Sequence, residues 1–146
     1  MSARLKARWR QVERLTRELE SWAAEIPDLR AVCVVGSYAR GTPEMSSDLD
    51  LVLLSTEPAR YGGWLGWDSP MAPARFLLSR TWGPLTELRF LHQIGLQFDI
   101  GITTPAWADN DPLDPGTARV ISDGLRIVHD PDGLLFRAEE ANRRSS

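Results

Sequence analysis

Three aspartates and one glycine–serine pair have the residue types and spacing to do chemistry in this chain. Gly36-Ser37 follows the apolar run Ala31 to Val35, and Asp48 and Asp50 open a second apolar run, Leu51 to Leu54. Asp99 lies in the middle of an alternating stretch, LQFDIGIT, over residues 96–103. Aspartates two apart on a strand project to one face. Like charges held that close are unfavourable without a cation between them, and Mg²⁺ is the hard divalent ion suited to oxygen ligands. A glycine turn lets backbone approach a ligand. If Tyr38-Ala39-Arg40 start a helix, their free N–H groups suit a phosphate. Arg40 could add charge to that cradle. A phosphate cradle beside a carboxylate pair is equipment for metal-assisted phosphoryl or nucleotidyl transfer.

Several elements must hold these groups in place. Residues 30–35 and 49–54 read as strands that are apolar almost throughout, hence central and buried. An acid at position 50 breaks that pattern, and a buried carboxylate is costly without compensation. Residues 86–92 and 96–103 read as a hairpin turning near Gly95. Its second strand sends Leu96, Phe98, Ile100 and Ile102 one way, and Gln97, Asp99, Gly101 and Thr103 the other. Glu87 and Arg89 fall near Asp99 on the neighbouring strand. Neighbouring strands could bring Asp48, Asp50 and Asp99 to one point, where two Mg²⁺ ions would clamp a nucleoside triphosphate and an attacking hydroxyl. Asp99 could also take the hydroxyl proton.

The rest of the chain is scaffold. Residues 3–26 carry Leu5, Trp9, Val12, Leu15, Leu19, Trp22 and Ile26 at helical spacing. They predict an amphipathic helix packed on a sheet, with a partner-binding helix as the alternative. Residues 55–70, with Trp64 and Trp67, read either as a substrate-contacting flap or as a loop over the core edge. Residues 71–82 lean towards helix. Residues 105–116 hold Asp109, Asp111 and Asp114 without the spacing of a calcium loop, and read as a solvated loop. Residues 117–123 suggest a helix, 125–129 a strand, 134–141 a last helix, and 142–146 a frayed tail. Cys33 reads as a buried structural thiol. His92 and His129 are isolated and read as structural.

At 146 residues the chain fits one domain. A net charge of -3 argues against a dedicated nucleic-acid binder. No apolar run is long enough to span a bilayer, and the acids after the Arg-rich start do not suit a transit peptide. The expected location is the cytoplasm.

Gly36-Ser37, ten residues, Asp48-Leu49-Asp50 and the later Asp99 stand in an order that resembles the DNA polymerase β-like nucleotidyltransferase superfamily. The tighter pattern of Gly36, Ser37, Arg40, Gly41, Ser47, Asp48 and Asp50 is similar to the minimal nucleotidyltransferase (MNT) branch, related to the aminoglycoside nucleotidyltransferases. The resemblance implies an α/β (α+β) nucleotidyltransferase fold, a mixed sheet of about four to five strands flanked by helices. It implies a single domain over 1–146: an N-terminal helix at 1–27, a catalytic core at 30–103 and an extension at 104–146. It implies two Mg²⁺ ions held by Asp48, Asp50 and Asp99, and a triphosphate, ATP, bound by Gly36, Ser37 and Arg40. AMP would pass to a hydroxyl on a small molecule or a protein. The alternatives are an MNT-type antitoxin that binds and nucleotidylates a HEPN toxin, and a nucleotide-binding module without turnover. No helical acceptor domain is recognisable after Asp99, so a partner chain is expected to complete the acceptor site.

Overall fold

The computed structural model describes residues 1–61, 69–72 and 74–145. Helix α1 (Ala3–Ala24) starts at Ser2, whose hydroxyl accepts the Leu5 N–H. Six strands follow in chain order: β1 (Leu29–Val35), β2 (Leu49–Ser55), β3 (Ala74–Trp82), β4 (Leu85–His92), β5 (Gln97–Thr103) and β6 (Leu125–His129). They form one sheet in the order β3-β4-β5-β2-β1-β6. β2 pairs with β5 in parallel, and the other neighbours pair antiparallel, so the sheet is mixed.

Both faces of the centre are covered. Val12, Leu15 and Leu19 of α1 pack with Val32, Val34, Leu49, Leu51, Leu53, Leu88, Phe90, Phe98, Ile100 and Ile102. On the opposite face, α3 (Pro115–Asp123) and α4 (Leu134–Ser145) bring Ile121, Leu135 and Ala138 against Ala31, Cys33, Val52 and Leu54. This double cover is why β1 and β2 read as nearly unbroken apolar runs. Trp9 and Trp22 pack against the α1-side core, which bears out the sheet-packing helix. Glu13 of α1 is taken by Arg126 of β6 in a bidentate pair at 2.5 and 2.7 Å.

The structure corrects the sequence reading in three elements. Residues 74–82 form a strand and not a helix, which makes six strands in place of four to five. A bulge between Phe76 and Leu78 inserts Leu77, so the period-two pattern is broken where it would have been read. The last helix runs on to Ser145, and there is no frayed tail over 142–145. Asn142 donates to the Ser122 hydroxyl, tying this turn to α3. Asp114 caps α3 by accepting from the Gly116 and Thr117 N–H groups, so α3 begins earlier than expected. The flap expected around Trp64 and Trp67 lies outside the described residues. Upstream of it, Pro58–Tyr61 makes a 3-10 turn with Tyr61 buried on the α1-side core.

Candidate active site

The sheet face away from α1 carries the three aspartates. β2 and β5 run in parallel with Asp50 opposite Asp99, and Leu49, Leu51, Phe98 and Ile100 occupy the other face. The alternation that buries those four side chains therefore aims both carboxylates the same way. Asp48 stands just before β2, after a turn in which Ser47 Oγ accepts from the Glu44 N–H. One oxygen from each of Asp48, Asp50 and Asp99 lies within 4.8 Å of the others, and all three residues are half-buried.

Charge of one sign is crowded here. Burial, then the Asp99 charge, then the Asp48 charge push the Asp50 carboxyl up to about 7. Burial and Asp99, by charge and by hydrogen bond, push Asp48 up to about 6. Only part of this is compensated by the protein. Arg89, opposite Asp99 on β4, donates from Nε to Asp99 Oδ1 at 2.8 Å. Gln97 donates from Nε2 to Asp48 Oδ2 at 3.1 Å and to Asp99 Oδ1 at 3.3 Å. Asp50 receives no such hydrogen bond among the described residues. Hard oxygen donors at this spacing, with the ionised forms of Asp48 and Asp50 disfavoured, fit a divalent cation.

Gly36 ends the site on the β1 side. Its φ of +74° is one that side chains resist, and a Cβ there would stand 2.3 Å from Asp50 Oδ2. Glycine is thus required twice, for the turn and for the carboxylate beside it. Ser37 opens the short helix α2 (Ser37–Arg40), and Gly41 closes it at φ +79°. The Arg40 guanidinium is bonded to Asp123 and, among the described residues, to none of the three carboxylates. Its Nη1 donates to the Asp123 side chain at 3.2 Å and to the Asp123 carbonyl at 3.3 Å, at the end of α3. Its charge still acts on Asp50, lowering its pKa against the larger effects that raise it.

The sequence thus named three groups that the fold brings together, and set Gly36 beside them. It did not name Gln97 as a site residue. The signal available was its place two residues before Asp99 on the same strand face. Cys33 is buried, and burial drives its thiol pKa far up, so the structural reading holds. His92 accepts the Ile94 N–H at Nδ1 and packs edge-on to Phe98, and burial lowers its pKa. Among the described residues, no other group of three or more such ligands could hold a metal, so Asp109, Asp111 and Asp114 form no such site.

The nucleotidyltransferase domain family matches the chain over residues 15–99, from the middle of α1 to the third aspartate. No curated protein matches the chain significantly.

Proposed function

The chain belongs to the nucleotidyltransferase domain family, and from that premise we propose that it transfers AMP from ATP to a hydroxyl acceptor in a Mg²⁺-dependent reaction. The observation that carries this reading is the convergence of Asp48, Asp50 and Asp99 from two strands paired in register. In it, residues 1–146 are one domain: an N-terminal helix at 1–27, a catalytic core at 30–103 and an extension at 104–146.

Asp48, Asp50 and Asp99 hold two Mg²⁺ ions. Bound there, Mg²⁺ supplies positive charge to the triphosphate and to the attacking oxygen. Gly36 and Ser37 offer backbone N–H groups and a hydroxyl to the β- and γ-phosphates. Arg40 adds to that cradle by leaving Asp123. Their pair is exposed, and such pairs are worth about 0–1 kcal/mol, little against a triphosphate. Asp99 takes the proton of the attacking hydroxyl, while Gln97 and Arg89 orient its carboxylate.

A second reading is an MNT-type antitoxin that binds and nucleotidylates a HEPN toxin. Phe76, Leu77 and Trp82 favour it, because they leave large apolar surface exposed on the edge strand β3. In either reading the protein works in the cytoplasm. Among the described residues, no helix is long and apolar enough to cross a membrane.

The test is thermal unfolding with each of the four nucleoside triphosphates, with and without Mg²⁺, followed by an assay of pyrophosphate release. ATP with Mg²⁺ is expected to raise Tm selectively and to yield pyrophosphate once an acceptor is supplied. Binding without release under any acceptor or HEPN partner would leave a nucleotide-binding module. Equal shifts with and without Mg²⁺ would remove the metal from the scheme.

A further inference from the structure

On the site face, the half of the sheet beyond Asp99 carries three arginines against one glutamate among the described residues. Residues directly opposed in antiparallel strands share a face. One row across β5, β4 and β3 reads Asp99, Arg89, Leu78, and another reads Gly101, Glu87, Arg80. The row nearer the strand ends at the acids reads Gln97, Leu91, Arg75. Two of these arginines are engaged. Arg89 holds Asp99, and Arg80 lies 3.5 Å from Glu87 and over the Trp82 ring at 5.9 Å. Arg75 is exposed and has no ion pair or hydrogen bond among the described residues. It lines a cavity of about 650 Å³ with Ala74, Leu91, His92, Gln93 and Gly95. His92 brings no charge to that cavity, since burial lowers its pKa.

The cavity lies on the β3–β4 side of the acids, at the strand ends where Arg75 and Leu91 of the site face meet Ala74 and His92 of the α1 face. Gly36 lies on the β1 side of the acids, against Asp50, and Ser37 follows it in the chain. Arg75 lies two strands beyond Gln97, whose amide touches Asp48 and Asp99. At about 4.8 Å per strand, the Arg75 and Gln97 backbones are roughly 10 Å apart. In-line displacement needs the attacking oxygen and the departing pyrophosphate on opposite sides of phosphorus. With the triphosphate on the Gly36 side, the attacking oxygen must come from the Arg75 side.

We propose, resting on the transfer reading above, that this cavity takes the acceptor, and that the acceptor carries a carboxylate or phosphate paired with Arg75. The acceptor hydroxyl oxygen bonds to the α-phosphorus, and the bond from that phosphorus to the bridging oxygen breaks. Pyrophosphate leaves with the electron pair, and the hydroxyl proton passes to Asp99. A polycationic acceptor is disfavoured, since the charged group on the described lining of this cavity is a guanidinium.

The test compares glycerol, glycerate, glycerol 3-phosphate and the polycation kanamycin as acceptors with Mg²⁺ and ATP. Each is also tested alone for thermal stabilisation in EDTA. The two anions are expected to serve about tenfold better than glycerol, as one paired charge would give, and kanamycin worst. Which anion leads tells a phosphate acceptor from a carboxylate one. Arg75→Glu should raise the KM of the anions about tenfold while leaving kcat and the ATP-induced Tm shift unchanged, and Arg75→Lys should restore most of the loss. Equal use of glycerol and the anions would overturn the proposal. So would an Arg75→Glu effect confined to ATP, which would make the cavity a nucleotide subsite. Arg75-dependent stabilisation by the anions without pyrophosphate release from any triphosphate would sink the transfer reading and leave the anion site standing.

Discussion

Strands β1 and β2 carry a crowded carboxylate at each end, and the two ends treat it in opposite ways. Asp28, just before β1, is buried at 6% exposure, yet it is fully provided for. Its carboxylate accepts from Ser55 Oγ at 2.6 Å and Tyr61 Oη at 2.8 Å and pairs with Arg60, and its carbonyl accepts the Thr56 N–H at 3.0 Å. Burial alone would raise its pKa, but the two hydroxyls and the Arg60 charge outweigh burial and hold it below the usual range. Asp50, at the other end, lies opposite Val35 with Gly36 against its oxygen and Asp48 and Asp99 beside it. Burial and like charges raise its pKa to about 7. The same two strands hold one carboxylate as a structural tie and the other as a strained group. A buried charge with its partners present is a fixture of the fold, and one without them is a candidate functional group.

The contrast can be broken most directly at Asp50. Asp50→Asn should cut turnover by about 10²-fold or more, since it removes a proposed metal ligand. It should also raise the Tm of the metal-free protein at pH 8 by about 5 °C, because an uncompensated charge is gone. Unchanged turnover would end the metal assignment, and a fall in metal-free Tm would show that the carboxylate is not strained.

Asp28→Ala should do the reverse. It strips an acceptor from Ser55 and Tyr61 and the counter-ion from Arg60, and should cost about 2–3 kcal/mol in urea unfolding. Turnover per folded molecule should stay near that of the parent protein. A cost under about 0.5 kcal/mol would mean that the two ends do not differ as described.

The smallest effect is on the pH profile, and it sharpens the contrast because the two ends slope oppositely. An ordinary aspartate titrates near 3.8, whereas Asp48 and Asp50 titrate near 6 and 7 in the folded chain. Between about pH 4 and 7 the folded state therefore keeps protons that the unfolded state has released. Stability of the metal-free protein should fall as pH rises through that window, by at most about 1.4 kcal/mol per pH unit for each group. Asp28 acts below the window. Its contribution is present above pH 3.8 and is lost as pH falls through its lowered value. Urea midpoints from pH 3 to 8 in EDTA, repeated with Mg²⁺, read both limbs. Mg²⁺ should flatten the upper limb alone, and a flat upper limb in EDTA would remove the strain from Asp50.

These two ends were not equally legible in the sequence. An aspartate in an apolar strand is conspicuous, and a glycine–serine turn ten residues upstream gives it a context, so the site was visible before any fold was known. Asp28 gave no such signal, because its partners Ser55, Arg60 and Tyr61 are distant in the chain and polar residues near a proline read as a plain connection. Strand β3 was hidden by its bulge at Leu77 and by its exposure, which left no buried stripe to betray the period. Gln97 was on the right face by alternation, but an amide announces no chemistry by itself. Arg40 was expected at the phosphates from its spacing, and spacing carries no information about Asp123, a neighbour from the far end of the chain.

The register of β2 on β5 sets Asp50 opposite Asp99, although the whole β3–β4 hairpin lies between them in the chain. That register sets like charges against each other on the carboxylate face, where the Gln97–Asp48 hydrogen bond ties β5 to the start of β2. The register is fixed mainly from behind, by Leu49, Leu51, Phe98 and Ile100 packed under α1, since a slip of one residue would turn all of β5 over. The hydrophobic core thus serves as the ruler for the spacing of the carboxylates. Substitutions on the α1 side that touch no ligand, at Phe98 or Ile100, would be read in an assay as catalytic lesions, because they alter the alignment from which the site is measured.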